Sequence, residues 1–374
     1  MRILGESLEE LRATRTSVKW RGYDPDVVPV WVAEMDARPC APVVDAVTAA
    51  LGAGDTGYAF AAPFAEAFAG FAQRRWSWTV DADSTLIVPD VMIGVEEIIR
   101  VISGDAVVVS TPCYDSFHGF VEAARKRPVL APLDSNHRLD PAALARAFED
   151  AGRGSAYLLC NPQNPTGTVH TAEELGTLAA LANEYGILVI SDEIHAPLVA
   201  PGVRFTPYLE VPGAQSGVAI VSASKAFNLA GLKVALAVPG ADCVIVKELH
   251  EVITHGANHL SVLAQTAAYN EGNAWLDQLN VEIVENRELL TDLLARDLPE
   301  LRMTPAEATY LGWLDCRALG HDDPAAVFLE RGRVALASGS RYDPQHGAGW
   351  ARFNLGTSPA VIEEAVRRMV TAVR

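Results

Sequence analysis

The chain of 374 residues lacks several features that mark specialised classes of protein. None of its apolar runs approaches the roughly 20 residues that a membrane-spanning helix needs, so we expect no membrane partner. Its five cysteines include no CxxC pair, which argues against a disulfide framework or a zinc site. Residues 1–6 are not followed by an apolar stretch with a cleavage site, so we expect a cytoplasmic protein.

Basic residues are also scarce. The 30 lysines and arginines face 47 aspartates and glutamates, which gives a net charge of -17 and argues against binding to nucleic acid. No repeat or low-complexity tract is present, which excludes a solenoid or a disordered tail. Nearly half of the residues (49%) are apolar, as in a globular protein with a large core, and the length predicts about two domains.

Short β-branched runs alternate with longer helical patterns in the middle of the chain. Helical patterns separate the runs, and Asp140 is a good N-cap for a helix that starts at Pro141. This alternation predicts an α/β fold with a mostly parallel sheet that is covered on both faces. The predicted strands are 86–88, 106–109, 156–159, 187–190 and 218–221, and the predicted helices are 114–125, 141–149 and 172–185.

The C-terminal third has a different pattern. From Ser261 to Leu294 an amphipathic pattern predicts one long helix that bridges two domains, and strand-like segments at 310–314, 333–337 and 351–355 follow it. We therefore predict a large domain of residues 37–270. Residues 271–374 are predicted to form a smaller α+β domain, against which residues 1–36 pack.

Two motifs match known sites only superficially. The GxGxxG at 52–57 follows a helical pattern, whereas a dinucleotide site needs a strand before it, so we predict a helix end and a turn. His250 and His255 are five residues apart, which places them about 140° apart on a helix. His259 follows four residues after His255, but no third ligand is apparent, and we predict no metal site.

Four polar segments carry more information together than singly. They lie at 160–167, 191–195, 222–225 and 352–356, and three of them follow predicted strands. In open α/β sheets, ligands bind beyond the carboxyl ends of the strands. Each segment alone is typical of a turn or a helix cap. The order Asn164, Asp192, Lys225 and a distant Arg352 indicates that the segments form one functional site.

With these segments the sequence resembles the fold-type I pyridoxal-phosphate enzymes, which have the aspartate-aminotransferase fold. More narrowly, it resembles the MalY/PatB-type cystathionine β-lyases, or C–S lyases. The resemblance covers almost the whole chain, and its most specific pieces are SVKW at 17–20 and WVAEMD at 31–36, where Glu34 replaces the usual aspartate. It implies a pyridoxal 5'-phosphate cofactor and a homodimer with the active site at its interface.

The resemblance also implies roles for individual residues. Lys225 would hold the cofactor as a Schiff base and later move protons at the substrate α-carbon. Asp192 would pair with the pyridinium nitrogen, and Asn164 would donate to the phenolic oxygen of the cofactor. His195 stands where many relatives have a tyrosine for that same oxygen, with a satisfied core histidine as the alternative. Tyr114 would stack on the ring, with a core tyrosine as the alternative.

The phosphate and the substrate need further groups. The backbone N–H groups of Gly94 and Val95 would open a helix at 94–102 and bind the phosphate. Arg352 would bind the substrate α-carboxylate through two parallel hydrogen bonds, assisted by Ala33 and Asn164. The other phosphate ligands would be Ser222, Ser224, Lys233 and, from the neighbouring subunit, Tyr58.

The implied activity is α,β-elimination on cystathionine or another cysteine S-conjugate, which gives a thiol, pyruvate and ammonia. An aminotransferase that uses the same site is an alternative, and so is a non-catalytic regulator that uses the fold as a ligand sensor. The negative charge and the joint presence of Lys225, Asp192 and Arg352 favour an enzyme that acts on a small amino acid. No segment identifies the pocket for the group beyond the sulfur.

Overall fold

The structure, a computed structural model, describes residues 2–374. Its strands within this range form sheets of seven, four and two strands. The strands are β1 (Val28–Pro29), β2 (Leu86–Val88), β3 (Ala106–Val109), β4 (Arg127–Leu130), β5 (Ala156–Cys160), β6 (Leu188–Asp192), β7 (Val218–Val221), β8 (Ala235–Pro239), β9 (Arg302–Met303), β10 (Leu311–Asp315), β11 (Val334–Ala335), β12 (Ala337–Ser338) and β13 (Trp350–Asn354).

Helices cover these sheets and connect their strands. No helix in the described range is both long and apolar enough to cross a membrane. The helices are α1 (Leu8–Thr14), α2 (Val18–Arg21), α3 (Ala41–Ala53), α4 (Ala62–Trp76), α5 (Val91–Val101), α6 (Ser116–Ala123), α7 (Pro141–Ala151), α8 (Ala172–Tyr185), α9 (Val252–His255), α10 (His259–Glu271), α11 (Asn273–Asp297), α12 (Pro324–Gly332) and α13 (Pro359–Val373).

The seven-stranded sheet confirms the predicted α/β class. Its order is β2-β8-β7-β6-β5-β3-β4, and the strands from β7 to β4 pair in parallel. Residues 106–109 are all buried because alternate side chains enter two different cores. Val107 and Val109 pack with α5 and α6 on one face, whereas Val108 packs with α7 and α8 on the other.

Two predicted helices differ from the observed ones. Helix α5 begins at Val91 and not at 94, because the Asp90 carboxylate caps it by accepting from the Met92 N–H. The predicted helix from Ser261 to Leu294 is divided at Gly272 into α10 and α11. A side chain at Gly272 would lie 2.5 Å from the Phe227 ring, so the close packing of that ring requires a glycine there.

A four-stranded antiparallel sheet, β12-β13-β10-β9, forms with α11, α12 and α13 around a second core. The N-terminal segment joins this core through Leu11, Trp20 and Val28, and β1 pairs in parallel with β11. The division into domains at residues 37–270 stays a prediction. The GxGxxG segment is a helix end and a turn, as predicted, because α3 ends at Ala53 and Gly54 has a φ of 73°.

Candidate active site

The carboxyl ends of β5, β6 and β7 meet at one edge of the large sheet, because neighbouring parallel strands end on the same side. The polar segments after these strands therefore converge there. They enclose a cavity of about 150 Å³ that includes most of the side chains predicted from the sequence. Its lining residues are Ala33, Asp90, Val91, Met92, Tyr114, Cys160, Asn164, Asp192, Ile194, His195, Ser224, Lys225, Ala230 and Lys233.

Lys225 is the central cation of the cavity. Its Nζ donates to the carbonyl oxygen of Ala33 at 2.8 Å. The pKa of Lys225 is lowered to about 8. Burial is the main cause, and the positive charges of Arg352 and Lys233 add to the lowering. At pH 7 about a tenth of this amine is therefore uncharged, which is the form that acts as a nucleophile or a base.

Asp192 ends β6 and is buried. Its Oδ1 accepts from the Ile194 N–H at 3.1 Å, but burial still raises the pKa of Asp192 to about 6. One backbone hydrogen bond does not offset the cost of burying this negative charge. The carboxylate therefore favours a cationic ligand in the cavity.

Arg352 is not among the residues that line this cavity, but its side chain contacts Asn164, which is. Its Nη1 donates to the Asn164 Oδ1 at 3.2 Å and its Nη2 to the carbonyl oxygen of Trp31 at 3.0 Å. The guanidinium lies 4.7 Å from the centre of the Tyr342 ring. Its Nε has no hydrogen-bond partner, and no ion pair found within residues 2–374 includes Arg352. A buried cation without a carboxylate is a site for an anionic ligand.

Tyr114 and His195 complete the polar lining. Burial raises the pKa of Tyr114, so its phenol stays protonated. Burial lowers the pKa of His195 to about 3, assisted by the charges of Lys225 and Arg352, so its imidazole is neutral. The His195 Nδ1 has no partner in the described structure, and its ring packs edge-on against Tyr310. Both side chains are available to a ligand as neutral hydrogen-bonding groups.

A buried ion pair supports the loop that carries Ala33. Lys19 Nζ donates to the Asp36 Oδ2 at 2.7 Å and to the Glu34 carbonyl oxygen at 3.1 Å. The Trp20 indole N–H donates to the other Asp36 oxygen at 2.9 Å. These contacts give a structural reason for the SVKW and WVAEMD pieces. No role was predicted for Lys19 or Asp36, since an ion pair between distant residues leaves no local pattern.

The structure does not support the predicted phosphate role of Gly94 and Val95. The Gly94 N–H donates to the Asp90 carbonyl oxygen at 2.9 Å, and the Val95 N–H lies one residue further into the helix. The first turn of α5, with Val91 and Met92, lines the cavity in their place. The N-cap residue Asp90, an aspartate directly before an apolar run, was the signal that was missed.

Of the two predicted serines, only Ser224 lines the cavity. The Ser222 hydroxyl donates to the Val234 carbonyl oxygen at 2.8 Å and accepts from the Ser224 N–H at 3.2 Å, so its prediction as a phosphate ligand is not supported. Lys233 does line the cavity and forms an ion pair with Asp90. Tyr58 is 94% exposed and does not line the cavity of its own chain.

Residues 50–369 match the family model described as aminotransferase class I and II. The chain belongs to this family. It is 46% identical over 391 residues to a Mycobacterium leprae protein, with 98% of this chain and 97% of that protein covered. It is 32% identical to the Bacillus subtilis cystathionine beta-lyase PatB, with 97% and 98% covered.

Solved structures of aminotransferase-like proteins agree with this assignment. The crystal structure of the PLP-bound C–S lyase from Staphylococcus hominis superimposes with a TM-score of 0.86 at 26% identity, and 96% of each chain is covered. The aspartate-aminotransferase fold expected from the sequence is therefore confirmed.

Proposed function

We propose that this aminotransferase-family protein is a pyridoxal-phosphate-dependent C–S lyase. It would catalyse α,β-elimination on cystathionine or another cysteine S-conjugate and release a thiol, pyruvate and ammonia. The observation that carries the proposal is a lysine amine of lowered pKa beside Asp192 and an Arg352 that no carboxylate neutralises. The names of relatives such as PatB support the lyase branch.

The charges of the cavity fit pyridoxal phosphate. Asp192 forms no ion pair in the described residues, although the Lys225 charge acts on it, and it would pair with the ring nitrogen, which in turn favours the ionised carboxylate. Asn164 and the neutral His195 would bind the phenolic oxygen, and Tyr114 would lie against the ring. Lys233, the remaining cation of the lining, would bind the phosphate.

The phosphate would lie at the start of α5. The N–H groups of the first helical turn are not used within the helix, and the positive end of the helix dipole favours an anion there. Met92 and Val91 line the cavity at this turn, together with Ser224 and Lys233. The Asp90 carboxylate accepts from the Met92 N–H in this turn and pairs with Lys233. It would have to share the Met92 N–H and the Lys233 ammonium with the phosphate.

The bound cofactor would supply an electron sink that stabilises negative charge on the substrate α-carbon. Arg352 would hold the α-carboxylate and fix the orientation of the α-carbon toward Lys225. The neutral amine of Lys225 would then accept the α-proton. The bond between the β-carbon and sulfur breaks with its electron pair on sulfur, which leaves as a thiol after protonation. Water converts the remaining fragment to pyruvate and ammonia.

An aminotransferase would use the same residues, because the two branches differ only in where the proton is returned. The test is to incubate the purified holoenzyme with cystathionine or S-methylcysteine without a keto acid and to measure pyruvate and thiol. We expect both products in equal amounts, and none from the Lys225→Ala variant. A strict requirement for a keto acid, with formation of a new amino acid, would contradict the lyase and identify an aminotransferase.

We also propose a homodimer in which Tyr58 binds the phosphate in the partner's active site. Tyr58 is 94% exposed and Phe60 is 69% exposed, and both follow α3, which exposes Val44 and Leu51. Exposed apolar side chains of this size within one segment support a protein interface there. We expect a dimer in size-exclusion chromatography with light scattering, whereas an active monomer would contradict the proposal.

Mixing two inactive variants tests whether Tyr58 reaches across. In a dimer of Tyr58→Ala and Lys225→Ala chains, one shared site carries both substitutions and the other carries neither. Reassembly of an equal mixture should then restore about a quarter of the wild-type activity, since half of the dimers are mixed. If Tyr58 serves its own chain, every site keeps one defect and mixing restores nothing.

A further inference from the structure

A second depression lies beside the cavity that contains Lys225. It has a volume of about 560 Å³, and Met92 lines both spaces. Its charged lining residues are Asp115 and Arg341, and Ser116 and His118 also face it. The two spaces are therefore neighbours, and the hydroxyl of Tyr114, which lines the first space, lies 4.0 Å from the Met92 sulfur.

The chain connects this charged pair to the site that was described above. Asp115 directly follows Tyr114, which lines the cavity, and Arg341 directly precedes Tyr342, whose ring lies against the Arg352 guanidinium. The Cys113 N–H donates to the Tyr342 carbonyl oxygen at 3.0 Å and ties the two segments together. Asp115 is thus one residue away from a side chain that lines the cavity, and Arg341 is one residue away from the ring that contacts Arg352.

Asp115 and Arg341 form an ion pair at 2.7 Å, in which the Arg341 side chain is 58% exposed and that of Asp115 is 16% exposed. Such a partly exposed ion pair contributes little to stability. Exchanging it for contacts between a ligand and the two side chains therefore costs little free energy. An amino-acid group carries the complementary charges: its carboxylate suits Arg341 and its ammonium suits Asp115.

We propose that Asp115 and Arg341 bind an amino-acid group at the distal end of the substrate. This inference rests on the proposed lyase function and names its substrate class: thioethers with a zwitterion beyond the sulfur, as in cystathionine, are preferred over simple S-alkyl cysteines. The two α-carbons of cystathionine are five covalent bonds apart, a length between one and two residues of extended chain, so side chains one residue beyond Tyr114 and Tyr342 are within the reach of the distal group.

The test compares kcat/KM for cystathionine with kcat/KM for S-methylcysteine, both measured as pyruvate formed by the holoenzyme. The ratio of the two values should fall about tenfold in Arg341→Gln and in Asp115→Asn, because each loses one charge-assisted contact with the distal group. Arg341→Lys should recover part of the ratio. Arg296→Gln removes an exposed arginine that pairs with Asp297 and should keep the wild-type ratio.

The ratio separates a specific role from general damage. If a variant loses activity equally on both substrates, or keeps the wild-type ratio, the assignment of Asp115 and Arg341 is wrong. A wild-type enzyme that prefers S-methylcysteine would also overturn it. If the wild type forms no pyruvate from either substrate, the proposed lyase function itself has failed.

Discussion

The rate at which Lys225 attaches the cofactor should depend on pH, because burial and neighbouring charges lower the pKa of its amine. Its pKa is about 8, against 10.5 for an ordinary lysine. This lowering corresponds to about 3 kcal/mol and makes the uncharged amine about 300-fold more abundant at neutral pH than in an exposed lysine. Because only the uncharged amine attacks an aldehyde, covalent attachment of the cofactor should accelerate about tenfold for each pH unit and level off near pH 8.

Stopped-flow absorbance measures this rate after apoenzyme is mixed with pyridoxal phosphate between about pH 6 and about pH 10. Reaction of the cofactor with a simple alkylamine corrects for the ionisation of the cofactor itself. Arg352→Gln removes the positive charge that ranks second to burial among the causes, so its inflection should move to higher pH. Arg317→Gln, which removes the exposed partner of Asp315, should leave the inflection unchanged.

Two results would refute this reasoning. If the wild-type rate keeps rising to about pH 10, Lys225 behaves as an ordinary lysine and burial does not lower its pKa in solution. If Arg352→Gln leaves the inflection in place, its charge does not act on the amine, and the position of the guanidinium relative to Lys225 is wrong.

Three further predictions concern the substrate, the supporting loop and the cofactor. Arg352→Ala should raise KM with a smaller fall in kcat, since the carboxylate contact is used in ground and transition states alike; unchanged steady-state kinetics would place the carboxylate elsewhere. Lys19→Met should lower the free energy of unfolding by about 3–5 kcal/mol in chemical denaturation, because it leaves Asp36 buried and unpaired. The double variant Lys19→Met/Asp36→Leu should recover part of that loss, and an equal or larger loss would contradict the pairing. Lys233→Ala should weaken pyridoxal phosphate binding about tenfold in an absorbance titration, whereas an unaltered affinity would show that Lys233 serves only Asp90.

The sequence by itself determined the α/β class and the centre of the candidate site. Buried β-branched runs that alternate with helices define a parallel sheet, and the polar segments after β5, β6 and β7 then have to meet at its carboxyl edge. The strand order explains why the segments that contain Asn164, Asp192 and Lys225 meet, whereas the individual roles of these residues came from the resemblance to a family.

Only the tertiary structure decided how the other groups are used. The Ser222 hydroxyl was a reasonable phosphate ligand in the sequence, but in the fold it donates to the Val234 carbonyl oxygen. The need for a glycine at position 272 depends on the nearby Phe227 ring, and the Lys19 to Asp36 pair depends on the path of the chain between them. Such contacts join residues distant in the chain, so no local period or cap signals them. The pairing of Asp115 with Arg341 has the same origin, because it joins two segments that are distant in the chain and are tied together by the hydrogen bond from the Cys113 N–H to the Tyr342 carbonyl oxygen.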